Sequence, residues 1–367
     1  MKKLRLAVGL GLSLLFIYLI LWTPKPTEVF HGEESLWGGV FGHPRLDFKN
    51  LWQVMSEASL LPLLLAFLLN PAHVLVRGHR WTLMVSPLGK LKTRDSCSLQ
   101  MVGYLATAVL PLRIGEVARG LLLARRMDIS KSSALATVII ERMLDVLSFL
   151  VILALVGLVF PFPQSLRRGA DIFTGGAIVA GAVVVYLTFR KKPSASRPAV
   201  SAGSPGNRVK GFINGAISRF SAGFVFPTGW GKLTLVIAET IALWTIYTVQ
   251  GYLVLLAFHF DRDVPAIAAA PFLAAAVVLV VNTIGTSIPS APGAVGTFHA
   301  VCIFGLSLLG VAPEPAAGYA VVVHAVAAVF YIVFGIPYMW REGLHLTDLA
   351  RINREAHGNS RPGNGSG

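Results

Sequence analysis

The stretch Leu110-Pro111-Leu112-Arg113-Ile114-Gly115-Glu116-Val117-Ala118-Arg119-Gly120 decides how this chain is read. One proline, two glycines, two arginines and a glutamate interrupt the apolar run that starts at Ser98. In a water-soluble protein this composition marks a surface turn. Here the surroundings are apolar, so the charges need another account.

Mean hydropathy is +0.66 and only 14% of the residues are charged, against about 25% in soluble domains. Several apolar runs are long enough to cross about 30 Å of hydrocarbon at about 1.5 Å per helical residue. The class is therefore all-α, a polytopic helical membrane protein. Crossings are expected near 5–22, 56–76, 133–160, 170–189, 233–258, 265–284, 295–311 and 316–340. The short run 97–112 is expected to enter the membrane and turn back at the opening stretch. That gives about eight transmembrane helices plus at least one re-entrant segment.

Charge supports this topology. With both termini cytoplasmic, 25 of the 32 Lys and Arg residues fall inside and six outside, while Arg142 lies within a helix. Positively charged loops prefer the cytoplasmic side. The surplus of +14 is thus explained by topology and anionic lipid rather than nucleic acid, and no nucleic-acid partner is expected. The expected location is the plasma (inner) membrane. The N-terminus carries Trp22, Pro24 and Lys25 where a small-residue cleavage site would stand, and reads as an uncleaved first helix.

Residues 1–340 read as one integral membrane domain and 341–367 as a disordered cytoplasmic tail. Within the first, 190–232 reads as a basic cytoplasmic linker. Its Pro/Ser/Gly-rich part leads into an amphipathic helix with Phe212, Ile213, Ala216, Ile217, Phe220 and Phe224 on one face. Cys97 and Cys302 sit in apolar segments without metal-ligand spacing, and His31, Glu33, Glu34, His43 and Asp47 fit no metal motif. No metal and no cofactor are expected. No Ser/His/Asp order or phosphate loop appears, so the sequence supplies no catalytic constellation.

The helix near 133–160 contains Glu141, Arg142 and Asp145. Glu141 and Asp145 share a face at i, i+4, and Arg142 reaches Asp145 at i, i+3. Each charge at a helix centre costs on the order of 3 kcal/mol, so the three need partners away from lipid. The opening stretch supplies them. Irregular backbone at membrane depth must be covered by protein or water, so Arg113, Glu116 and Arg119 are expected to meet Glu141, Arg142 and Asp145 in one polar cluster. Two readings stand side by side. Three arginines balanced by three carboxylates form a neutral strut, or the arginines offer forked donors to a lipid phosphate. A second Pro/Gly break, Ile288 to Gly296, suggests an internal repeat of the kind seen in transporters.

Pro111, Arg113, Gly115, Glu116 and Arg119, followed by Glu141, Arg142 and Asp145, resemble the P-x-R-x-G-E-x-x-R and E-R-x-x-D signatures of the lysylphosphatidylglycerol synthase transmembrane-region family. Pro292, Gly293 and Gly296 are similar to that family's P-G-G-x-G element. The resemblance implies a helical bundle with re-entrant elements that moves a phospholipid or modified lipid between leaflets. Fused family members carry a soluble aminoacyl-transferring domain; none is expected here, so lysyl-lipid synthesis is not implied. Two positions depart from the family pattern: His299 stands for a glutamate and His324 for an arginine. Two readings apply: a facing, pH-sensitive pair, or two unrelated polar residues on separate helices.

The resulting expectation is a lipid translocator whose substrate-binding residues are Arg113, Glu116, Arg119, Glu141 and Asp145. Pro111, Gly115, Arg142, Pro292, Gly293 and Gly296 are expected to be structural. Membrane lipids are the expected partners. The alternatives are an integral membrane enzyme acting on a lipid-linked substrate, and a non-catalytic partner of a lipid-modifying or glycan-pathway enzyme.

Overall fold

The computed structural model describes residues 48–110, 114–164, 229–286 and 292–345, with a few isolated positions between 167 and 179. The expected helices at 5–22 and 170–189, the linker and amphipathic segment, Pro111, Arg113 and the tail beyond His345 lie largely or wholly outside the described residues.

The described chain is helical. Its elements are α1 (Phe48–Ser56), α2 (Leu60–Val85), α3 (Thr93–Val109), α4 (Ile114–Met127), α5 (Lys131–Val159), α6 (Trp230–Ala257), two short helices α7 (Phe260–Asp263) and α8 (Pro265–Ala269), then α9 (Pro271–Thr286), a 3-10 turn at Pro292–Ala294, α10 (Thr297–Ser307) and α11 (Pro313–Arg341). Among them α2, α5, α6 and α11 are long and apolar enough to cross a membrane, and α9 and α10 are shorter apolar helices. The chain is a helical membrane protein.

The second helix is expected near 56–76, with Arg77 and Arg80 just beyond it. It continues to Val85, because those two arginines are buried against carboxylates of α5. The helix also contains Pro71, which cannot donate to the carbonyl four residues earlier. Asn70 fills that vacancy: its Nδ2 donates to the Phe67 carbonyl at 3.0 Å.

The chain forms two compact units, and α2, α3, α6 and α11 contribute segments to both. Unit 1 takes residues up to His73, Tyr104–Ile114 and Trp244–Pro337. In it the start of α2 lies beside the end of α6. Gln250 Nε2 donates to the Ala66 carbonyl at 3.2 Å, and the Ser59 amide donates to the Ala257 carbonyl at 2.8 Å. The hydroxyls of Tyr104 and Tyr247 both meet His73 Nε2, at 3.2 and 2.7 Å, and Tyr104 stacks on Tyr331. Polar side chains hold membrane helices together where the hydrophobic effect gives no preference for a neighbour over lipid. In the same unit α9 and α10 pack closely. A Cβ built on Gly285 would lie 2.3 Å from Val301 Cγ2, so only glycine fits there.

Unit 2 takes Val74–Gly103, Gly115–Leu243 and residues from Tyr338 onward. Trp81, Leu99, Met101 and Leu123 are buried in its core. Ser130 caps α5, its side chain accepting from the Ser133 amide at 3.0 Å. At one end Asp95 of α3 binds both Arg126 of α4, at 2.6 Å, and Arg341 at the close of α11, at 2.9 Å. Glu342 completes this network with Arg126 and the hydroxyl of Ser98.

The α9–α10 contact yields a first prediction. Gly285→Ala is expected to destabilise the protein by about 1–3 kcal/mol through overpacking. Adding Val301→Gly, which removes the clashing methyl groups together with the Cβ 2.8 Å away, should recover part of the loss in thermal unfolding of the detergent-solubilised protein.

Candidate functional site

Glu141 is the centre of the polar cluster in unit 2. Its side chain has 0% exposure, and three guanidinium groups close on it. Arg77 Nε lies 2.8 Å from Oε1, Arg80 Nη2 3.4 Å from the same oxygen, and Arg119 Nη1 2.6 Å from Oε2. Asp145, one turn further along α5, binds Arg77 Nη2 at 2.7 Å and Arg80 Nη2 at 2.6 Å. Arg77 and Arg80 stand at i, i+3 on α2 and so reach Asp145 together. Arg80 also donates from Nη1 to Thr240 Oγ1 of α6 at 3.1 Å.

Arg119 enters from α4. Gly103 permits this approach: a Cβ there would lie 3.1 Å from the Gly115 carbonyl and 3.4 Å from Arg119 Cβ. The Arg119 guanidinium also sits over the buried Trp81 ring, 4.9 Å from its centroid, a geometry that favours a desolvated cation. Its Nη2 is buried and meets no hydrogen-bond acceptor among the described residues.

The accessible edge belongs to Arg142 and Glu116, whose side chains are 37% and 29% exposed. Arg142 Nε lies 3.2 Å from Glu116 Oε2, and its Nη1 lies 3.4 Å from Asp145 Oδ2. The cluster thus grades from a sealed interior at Glu141, Arg80 and Arg119 to an open rim at Arg142.

The structure therefore brings together Glu116, Arg119, Glu141, Arg142 and Asp145 with Gly115 at the start of α4. Arg113 and Pro111 fall outside the described residues. Arg77 and Arg80 join them from the extension of α2 beyond residue 76. They change the balance: among the described residues, four arginines face three carboxylates, leaving one positive charge in excess. In surroundings of low dielectric constant such an excess is costly unless an anion answers it.

The second break lies in unit 1. Gly293 and Gly296 have φ of +63° and +84°, backbone that glycine adopts without strain. The end of α3 comes against this break, since a Cβ on Gly293 would be 3.4 Å from the Ala108 carbonyl. The side chain of Pro292 is outside the described set. The imidazoles of His299 and His324 stack with centroids 4.9 Å apart, and Phe298 meets His324 edge-on at 5.0 Å. His299 Nδ1 accepts from the Gly296 amide at 3.4 Å. The two histidines therefore face each other. Among the described residues, no group of three or more metal-ligating side chains forms.

The sequence model of the lysylphosphatidylglycerol synthase transmembrane region matches residues 6–335. A protein of Haloferax volcanii named glycosyltransferase AglD is 26% identical over 311 residues, which is 76% of this chain and 49% of the relative. The chain thus spans about half the length of that protein. A membrane protein of Methanothermobacter thermautotrophicus, of the UPF0104 group, is 27% identical over 251 residues, covering 61% of this chain and 68% of the relative. No solved structure matches.

The grading of burial predicts unequal effects of mutation. Glu141→Gln leaves three guanidiniums around a neutral amide and should cost about 3–5 kcal/mol, as breaking buried ion pairs does. Arg142→Ala at the rim should cost less than about 1 kcal/mol. Thermal unfolding in detergent, followed by size-exclusion profile, measures both.

Proposed function

Since the chain belongs to the lysylphosphatidylglycerol synthase transmembrane-region family, we propose that it is a flippase-like translocator that carries a phosphate-bearing lipid across the inner membrane. The observation that carries this reading is the arginine-rich cluster of unit 2, four guanidiniums around three carboxylates, sealed on one side and open at Arg142. A lipid phosphodiester pairs with guanidinium donors at the open side, while its acyl chains stay in the bilayer. Arg142 meets the phosphate first, because it is the exposed guanidinium of the cluster. Arg119 offers its spare Nη2 further in, and Arg113 acts with it. Glu116, also at the rim, favours head groups that carry a cation beside the phosphate. Glu141 and Asp145 hold Arg77, Arg80 and Arg119 in place. Pro111 and Gly115 form the first break, and Pro292, Gly293 and Gly296 the second.

Eight crossings with one re-entrant segment around Pro111, and both termini in the cytoplasm, belong to the same proposal. So does a pH-sensitive role for His299 and His324: a pair stacked at 4.9 Å resists carrying two charges at once. A second reading is supported by the likeness to the protein named as a glycosyltransferase. In it, the chain serves as the membrane component of a glycan pathway, and the head group is a lipid-linked sugar phosphate.

Reconstitution separates the two. Proteoliposomes holding fluorescent phospholipids or lipid-linked sugars are assayed for lipid that becomes accessible to a membrane-impermeant reductant. The parent protein should move one of these classes, and Arg142→Ala and Arg113→Ala should slow it at least tenfold while remaining folded. Rates equal to those of the parent would remove the translocator reading.

A further inference from the structure

Next to the cluster lies a pair that it does not use. His79 of α2 and Glu239 of α6 are in contact through Nδ1 and Oε1. Each is followed along its helix by a residue of the cluster's own bonding, Arg80 and Thr240, which are joined to each other. Glu239 Oε2 is buried and has no hydrogen-bond partner among the described residues. The imidazole is different: its side chain is 39% exposed, so the protein leaves part of the ring uncovered. A half-buried carboxylate thus holds Nδ1 of a ring whose other nitrogen remains free to take a proton in the proposal that follows.

We propose that His79 and Glu239 form a proton-binding dyad that controls the affinity of the neighbouring guanidinium cluster for a phosphodiester anion; the inference rests on the translocator reading and assigns its regulation. Among the described residues the cluster carries one excess positive charge. With His79 neutral, the dyad carries one negative charge on Glu239 and the assembly is balanced. When Nε2 takes a proton, the dyad becomes neutral and the excess positive charge is exposed to an incoming anion. Linkage requires the converse: a bound anion favours the protonated dyad by the same factor. Imidazole is the side chain whose charge changes between about pH 5 and 8.

The other charged groups around the dyad do not replace this role. On α2 and α5, Arg77, Arg80, Glu141 and Asp145 are committed to one another. From α4, Arg119 and Glu116 bind Glu141 and Arg142. On α6, Lys232 donates to Ser86 Oγ at 3.1 Å, two turns away. Among the described residues His79 has Glu239 as its ionic partner.

The test uses the full chain in detergent, titrated calorimetrically with two probes in buffers of different ionisation enthalpy. Dimethyl phosphate is a permanent monoanion, and short-chain phosphatidylglycerol adds the lipid. The parent should take up a fraction of a proton per anion bound. Its affinity should rise about tenfold from pH 8 to pH 6, the order expected for a unit charge about 10 Å away at an effective dielectric constant of about 20. The two variants should diverge at pH 8. Glu239→Gln removes the balancing charge and should bind about tenfold more tightly than the parent. His79→Gln keeps it and should stay weak, with no proton uptake at either pH. Loss of affinity in both variants at every pH would overturn the dyad, as would binding by the parent without proton uptake. If a variant does not fold, the parent's proton count decides alone. Proton-linked binding of dimethyl phosphate without lipid binding would sink the translocator reading and keep the dyad. Lipid binding without proton uptake would do the reverse, and failure of both probes to bind would overturn both.

Discussion

The structure depends on one carboxylate. Glu141 sits on an apolar helix with no exposure to solvent, and it is tolerable there only because Arg77, Arg80 and Arg119 surround it. The interaction is not a simple source of stability, since desolvating four ions costs about as much as their attraction returns. Its effect is to specify. A buried carboxylate admits few alternative partners, so it fixes the rotation of α5 against α2 and α4. Asp145 repeats the constraint one turn along, and the two together leave little freedom in register.

That constraint explains the rest of the site. Gly103 is small because Arg119 must pass α3 to reach Glu141. Trp81 lies where the Arg119 guanidinium needs a face, and its own Nε1 donates to Thr137 Oγ1 at 3.3 Å. Function grows from what the constraint leaves over. The carboxylates are outnumbered, and the outermost arginine has contacts of 3.2 and 3.4 Å only, whereas Arg77, Arg80 and Arg119 each have at least one of 2.8 Å or shorter. An arginine so held can exchange a neighbour for a ligand at small cost.

Much of this was legible in the chain. Glu141, Arg142 and Asp145 inside an apolar run announce a buried polar face by their cost alone, and the i, i+3 and i, i+4 spacings say that they share it. The break around Pro111 and Gly115 identifies the second contributor. Arg77 and Arg80 were not legible by the same logic. Positive charge after an apolar run normally marks the cytoplasmic end of a helix, and a hydropathy window closes at the first arginine. The contrary signal was present: Trp81, Leu83, Met84 and Val85 continue the apolar character for two more turns. The facing of His299 and His324 could be expected only through the family pattern, because the two residues lie on different helices and neither spacing nor periodicity links them.

The network at Asp95 has its own consequence. One carboxylate near the start of α3 holds arginines from α4 and from the close of α11, and Glu342 adds a further tie to Arg126. Exposed ion pairs contribute little singly, but a shared acceptor with several donors resists the loss of any one. The last long helix therefore ends at a moored point rather than a frayed one. A fluorescent reporter, an affinity handle or an enzyme module joined shortly after Leu344 would depart from a fixed origin, and distances measured from it would report on the membrane body instead of on a swinging tether.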